Sequence, residues 1–218
     1  MKKTSLSLAC GLALAAVAAP SAAEVSLSAN VALTTDYVWR GMSQNSEDAA
    51  IQGGFDLGVD NGLYAGIWGS NVDTGGAGSM ELDYYGGWAT EFDNGFGLDV
   101  GYIYYDFPGA DFDGSDEFYI GGSYSYFGLT AYYDNDSDNI YWDASFDYEL
   151  PEGFGLGVHY GYTDADEGED MADWKVGITK SMFDLDFELA YTDTDLDSAV
   201  AKDWADSRVF LTVSKSWE

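Results

Sequence analysis

The chain has 218 residues, 8 Lys and Arg against 39 Asp and Glu, and a formal charge of −31. Phosphate contacts need Lys and Arg, so this balance excludes nucleic acid as a partner. No stretch of about 20 apolar residues follows residue 23, which excludes a membrane-spanning helix but not a membrane-spanning strand.

Residues 1–23 read as a secretory signal peptide, with Lys2 and Lys3, an apolar run, and Ser21-Ala22-Ala23 before Glu24. A lipoprotein signal at Cys10 fits less well, because Ser7 rather than Leu stands three residues before it and the apolar run continues past it. Cleavage would remove the only cysteine, so no internal disulfide can form. It would leave Arg40, Lys175, Lys180, Lys202, Arg208 and Lys215 against 39 acids, a formal charge of −33. The expected organisation is a signal peptide at 1–23 and one β-barrel domain at 24–218.

From Glu24 onward the apolar residues recur at every second position, the period of a pleated strand. Val25, Leu27, Ala29, Val31 and Leu33 share one face; Ser26, Ser28, Asn30 and Thr34 share the other. Phe55, Leu57 and Val59 then oppose Gly54, Asp56 and Gly58. In NGFGLDVGYIYYDF, Phe96, Leu98, Val100, Tyr102 and Tyr104 oppose Gly97, Asp99, Gly101, Ile103 and Tyr105. Phe154 to Tyr162 and Phe183 to Tyr191 repeat the pattern, the latter against Asp184, Asp186 and Glu188.

The pattern predicts twelve strands, near 25–40, 50–59, 63–71, 80–92, 96–105, 117–126, 129–134, 139–150, 154–163, 172–180, 183–192 and 207–217. Short links at Asp60-Asn61-Gly62, Asp93-Asn94-Gly95, Phe127-Gly128, Pro151-Glu152-Gly153 and Ser181-Met182 alternate with long acidic ones. Asn-Gly supplies the positive φ angles of tight hairpins, so the hairpin is the repeating unit. An even strand number places both termini at one end.

A soluble sandwich would turn its apolar face inward. Here the other face carries Gly, Ser and Asp rather than a solvated mixture, which suits a confined wet lumen. Short turns at one end and long loops at the other are the arrangement of outer-membrane barrels. Aromatics gather at both strand ends, as two interfacial belts require: Tyr37, Trp39, Tyr102, Tyr104, Tyr160 and Tyr162 at one, Phe96, Phe154, Phe183 and Trp217 at the other. The oily face is therefore predicted to meet lipid, in a closed antiparallel up-and-down transmembrane β-barrel.

TTDYVWRGMSQNSEDAAIQGGFDLG, followed by NGLYAGIWGSNVD, resembles the TorF family of porin-like proteins, long catalogued as conserved hypothetical bacterial proteins. The resemblance is strongest at residues 34–73. It implies an outer-membrane barrel of a Gram-negative bacterium and supplies no substrate. Outer-membrane proteins usually end on an aromatic, whereas here Glu218 follows Trp217.

The inward face then carries Asp56, Glu81, Asp83, Asp99, Glu117, Asp143, Asp147, Glu149, Asp184, Asp186 and Glu188. Acidic rings favour cations. Twelve strands lie between the filled barrels of about 8 and the open ones of 16–18. Inward glycines would widen the lumen, and Tyr85, Tyr105, Tyr119, Tyr132 and Tyr141 would narrow it.

Continuing the first strand places Tyr37 and Trp39 outward and Arg40 inward at the mouth. There Arg40 would meet Arg208 of the last strand, with Lys175 at the same level. These cations form either a basic patch facing acidic walls or salt bridges that hold a loop; surface pairing of this kind favours the second. His159, the only histidine, falls inward without a nucleophile motif and reads as a lumen-lining polar residue, so no enzyme activity and no cofactor are expected. Asp134-Asn-Asp136-Ser-Asp138 and Asp193-Thr-Asp195-Leu-Asp197 have the spacing that opens an EF-hand. Both lack its Gly at the sixth position and Glu at the twelfth, so no dedicated metal site is predicted.

The function predicted is passive, cation-preferring diffusion of small polar solutes. The rival is a non-conducting barrel whose acidic outer loops serve a structural, adhesive or receptor role. Expected partners are outer-membrane lipid, lipopolysaccharide and the barrel-assembly machinery. Homo-oligomers are compatible, since subunit-facing and lipid-facing surfaces are both apolar.

Overall fold

The computed structural model describes residues 24–196 and 204–218; the expected signal peptide at 1–23 lies outside them. Fourteen strands follow one another: β1 (Val25–Thr34), β2 (Val38–Trp39), β3 (Met42–Ser43), β4 (Ala50–Val59), β5 (Leu63–Asn71), β6 (Met80–Glu91) and β7 (Phe96–Asp106), then β8 (Ser115–Tyr124), β9 (Phe127–Asp134), β10 (Ile140–Leu150), β11 (Phe154–Asp164), β12 (Met171–Met182), β13 (Leu185–Thr194) and β14 (Arg208–Trp217). Twelve of them close into one antiparallel barrel. Its order follows the chain from β4 to β14, and β1 pairs with both β14 and β4. The two short strands β2 and β3 form a hairpin of their own inside the first long connection.

Cross-strand partners share a face, so the register fixes which side each residue takes. Asp99 pairs with Gly121 and Ala89, and Val100 with Ile120 and Trp88. The outward rows are apolar and exposed: Leu27 is 60% exposed, Ile51 60%, Phe55 61% and Ile120 56%. No protein core among the described residues covers these groups. Aliphatic residues fill the middle of this band. Tyr102, Phe118, Trp142 and Trp174 border it at the long-loop end, and Phe96, Phe127, Phe154 and Trp217 at the other.

Several expected boundaries move. The short links are Ser125-Tyr126 and Phe183-Asp184, not Phe127-Gly128 and Ser181-Met182. Ser125, Phe183 and Asp184 have φ of 58°, 57° and 59°, so left-handed residues other than glycine make these turns. Asp184 is thereby removed from the inward face and sits at a turn tip. The largest change is the first strand, which ends at Thr34 rather than residue 40.

The glycines of the inward face act as sockets. A Cβ on Gly66 would lie 2.3 Å from the Tyr85 ring, one on Gly87 2.4 Å from the Tyr64 hydroxyl, and one on Gly101 2.4 Å from the Tyr119 hydroxyl. In each case the glycine and the tyrosine are directly paired across strands. The ring folds over the bare backbone opposite, which is how an aromatic covers a strand glycine. These glycines hold tyrosines against the wall rather than widening the lumen.

Candidate functional site: a hairpin across the lumen

Residues 35–49 leave the top of β1 and turn into the barrel. Tyr37 is 5% exposed and clusters with Ala50 and Val72, packed by Trp39, Trp68 and Phe107. Tyr37 and Trp39 are therefore interior, not part of an outward belt. The apolar alternation of Tyr37 and Trp39 is real, but it serves the β2–β3 hairpin rather than an extension of β1. Arg40 and Gly41 form the tip, with φ of 46° and 77°. A Cβ on Gly41 would lie 2.7 Å from Asp173 Cβ and 2.9 Å from Thr194 Cβ, so the tip is pressed against the wall at β12 and β13 and needs glycine there.

In the ring of twelve strands, β9 stands diametrically opposite β1. Arg40 reaches that far wall. Its Nη2 donates to Glu117 on β8, 2.8 Å from both carboxylate oxygens. Its guanidinium carbon lies 3.9 Å from the Tyr141 ring centroid on β10, 5.4 Å from that of Tyr132 on β9 and 4.2 Å from that of Trp39. Tyr105 also donates to Glu117, at 3.0 Å. The hairpin is thus a strap spanning the long-loop half of the lumen.

Arg208 fixes the near end of the strap. Nη1 donates to Asp36 at 2.9 Å, and Glu47 lies 3.8 Å away. Nη2 donates to the Trp204 carbonyl at 2.7 Å. Ser43 joins the same group, its hydroxyl donating to Asp36 at 2.6 Å and its N–H to the Trp204 carbonyl at 2.8 Å. Arg40 and Arg208 are therefore not side by side. They fasten opposite ends of one hairpin, and the salt-bridging alternative is the arrangement found.

Among the described residues the remaining inward cations are also paired. Lys175 Nζ lies 3.4 Å from Glu188 Oε1. His159 has Asp173 2.8 Å from Nε2 and Asp143 3.3 Å from Nδ1, a carboxylate on each ring nitrogen. Tyr141 donates to Asp173 at 3.0 Å. Asp173 escaped the sequence reading although it shares the alternation of Lys175. Its neighbours in space, Tyr141 and His159, become visible only once the register is known.

The predicted acids divide by height. Glu81, Asp83 and Glu117 lie inward near the long-loop end, beneath the strap; Glu81 and Glu117 are buried, and Glu81 Oε2 and Asp83 Oδ1 have no hydrogen-bond partner. At mid-height Asp99 accepts from Tyr64 at 2.7 Å, Tyr64 also bonds to Tyr119, and Tyr85 donates to Asp56. Asp143 faces inward beside His159 in the long-loop half, whereas Asp147, Glu149 and Asp186 face inward on the short-turn half, where Asp147 and Glu149 are exposed. Glu188 is buried beside Thr179.

The long loops are stapled by local bonds. Asp134 accepts from the Asp136 and Ser137 amides at 2.8 and 3.0 Å, which makes that D-x-D segment an ordinary Asx turn. In the second such segment Asp197 lies outside the described residues. Ser46 donates to Asp73 at 2.7 Å, and that hydroxyl, with the Gly75 amide, holds the Asp73 carboxyl below its usual range. Among the described residues no group of three or more His, Cys, Asp or Glu is arranged to hold a metal ion.

No curated protein matches the chain in sequence. In fold it is similar to the NanC porin in its rhombohedral crystal form, with a TM-score of 0.60 at 12% identity, over 88% of this chain and 100% of that one. Salmonella typhi OmpF in complex with daunomycin aligns at 9% identity over 88% of this chain and 97% of that one; its TM-score of 0.45 is too loose to carry an argument. The first likeness shows a porin-like barrel. The matching family does not bear the TorF name that residues 34–73 suggest. Residues 18–217 match Gcw_chp, bacterial proteins of unknown function, and the chain belongs to that family.

Proposed function

We propose that this barrel is a channel of the bacterial outer membrane, reached through a cleaved signal peptide at 1–23, for passive and cation-preferring diffusion of small polar solutes. One observation carries the preference. The inward cations Arg40, Lys175, Arg208 and His159 are each engaged by carboxylates, whereas Asp147 and Glu149 on the short-turn half are exposed and, among the described residues, form no ion pair. A lumen with uncompensated acids attracts cations and repels anions. The outward aliphatic band with aromatic borders, and the long loops confined to one end, support placement in the outer membrane with those loops external. Lipid and lipopolysaccharide would then surround the barrel, and the assembly machinery would insert it.

The test is bilayer current from refolded protein under a potassium chloride gradient. Current steps with a cation-selective reversal potential support the channel, and loss of that selectivity in Asp147→Asn/Glu149→Gln/Asp186→Asn places those acids on the path. A folded, heat-resistant barrel that passes no current would sink it. The strap across the lumen favours a second reading, a non-conducting barrel acting through its acidic outer loops. Absence of current both before and after removal of residues 37–45 would select that reading.

A further inference from the structure

The place where Arg40 docks is built like a receptor. On the barrel wall it consists of Glu117 of β8, with Tyr105 beside it on β7, Tyr132 on β9 and Tyr141 on β10. A carboxylate bound to a planar cation that also lies against aromatic rings is an arrangement that binds guanidinium and alkylated ammonium groups. The Arg40 side chain is 12% exposed there and that of Glu117 only 3%.

The wall does not depend on Arg40 for its shape. Glu117 is oriented by the Tyr105 hydroxyl at 3.0 Å. Tyr141 is oriented by Asp173 at 3.0 Å, and Asp173 in turn by His159 at 2.8 Å. The Tyr119, Tyr132 and Tyr141 rings continue one another across three paired strands, with centroids 5.5 and 6.2 Å apart. All of these groups belong to the rigid ladder. Arg40, by contrast, belongs to a two-residue hairpin tip with positive φ at a residue other than glycine, a conformation kept only where surroundings impose it. The cage is permanent and its occupant is tethered.

We propose that this cage is a binding site for small solutes bearing a guanidinium group, and that Arg40 is a built-in competitor which such a solute displaces. The inference rests on the channel reading for its consequence, since displacing Arg40 frees the far end of the strap and clears the lumen. It does not rest on that reading for binding itself. In the intact chain the solute competes with a tethered side chain at high effective concentration, so affinity is expected to be roughly 100-fold below that of a chain without Arg40.

The experiment is calorimetric titration of methylguanidinium chloride into detergent-refolded barrel, with potassium chloride as control. Arg40→Ala is expected to bind saturably, the intact chain far more weakly, and Arg40→Ala/Glu117→Gln at least tenfold more weakly than the single variant. Arg40→Met, which keeps apolar bulk against Trp39, serves if the alanine variant fails to fold. Equal heats in the single and double variants, or no saturable heat in a folded Arg40→Ala or Arg40→Met barrel, would overturn the site. The same proteins in bilayers separate the two readings: saturable binding with no current in any variant keeps the cage and removes the channel. Block of the Arg40→Ala current by methylguanidinium, lost in the double variant, supports both.

Discussion

The two halves of the lumen are made from the same residue types and end in different states. In the long-loop half, acids meet arginine, histidine and tyrosine, side chains are buried, and a hairpin bridges wall to wall. In the short-turn half, Asp147 and Glu149 face an interior lined by Gly155, Gly157, Ser181 and Ser216, and among the described residues neither forms an ion pair. Composition does not set this difference. What sets it is that the first long connection folds inward and carries Arg40 with it. An acidic wall becomes a structural anchor where a cation is delivered and stays open to solvent where none is.

Breaking the anchor should have the largest effect. Glu117→Gln leaves a buried guanidinium without its carboxylate and is expected to cost about 3–5 kcal/mol, measured by urea unfolding from detergent. A loss below about 1 kcal/mol would mean that the strap contributes little to the long-loop half. Gly101→Val comes next. The new side chain meets the Tyr119 ring, which must swing into the lumen and release Tyr64. The expected cost is about 1–3 kcal/mol, with a fall in conductance, and Tyr119→Ala on the same background should relieve both. Conductance unchanged by Gly101→Val would mean that mid-height does not limit flow.

In the short-turn half, Asp147→Asn should leave stability within about 0.5 kcal/mol, since this group is exposed. The cation-to-anion permeability ratio should fall. The reverse outcome, unfolding with no change in selectivity, would erase the distinction between the halves. Ser46→Ala is the mildest. Asp73 is held below its ordinary value by hydrogen bonds to its ionised form, so the stability these bonds contribute is present above the ordinary carboxyl range and is lost as pH falls through the lowered value. Removing the hydroxyl should move the Asp73 titration, followed by carboxyl carbon NMR, upward toward that range.

The strands were legible because period two survives any local variation. β4 and β5 start and end where alternation places them, and β7 shows Phe96 to Tyr104 outward and Gly97 to Tyr105 inward as read. The strap was not legible because its residues keep the same period. Tyr37, Val38 and Trp39 look like more of β1. The chain leaves β1 at Thr35-Asp36, and the sign of it lies further on in Arg40-Gly41, where two positive φ values make a turn that a glycine after a short β run could have signalled. The partners of the site were hidden for a different reason. Arg40 and Glu117 are 77 residues apart, and only the closed register brings them to one height. The tyrosine sockets are of the same kind, since alternation alone says that both glycine and tyrosine point inward but not that they face each other.

The position of Arg208 bears on the order of assembly. The strap follows the first strand, but the arginine that fastens its near end stands on the last, 172 residues later. Until β14 joins β1, Asp36 and Ser43 have no Arg208 and no Trp204 carbonyl to bond. A nascent barrel can therefore hold its first eleven strands in register while the near end of its hairpin is still unfastened. Fastening of that end is the step that reports closure, and a chain truncated before residue 204 is expected to leave the hairpin base open to protease.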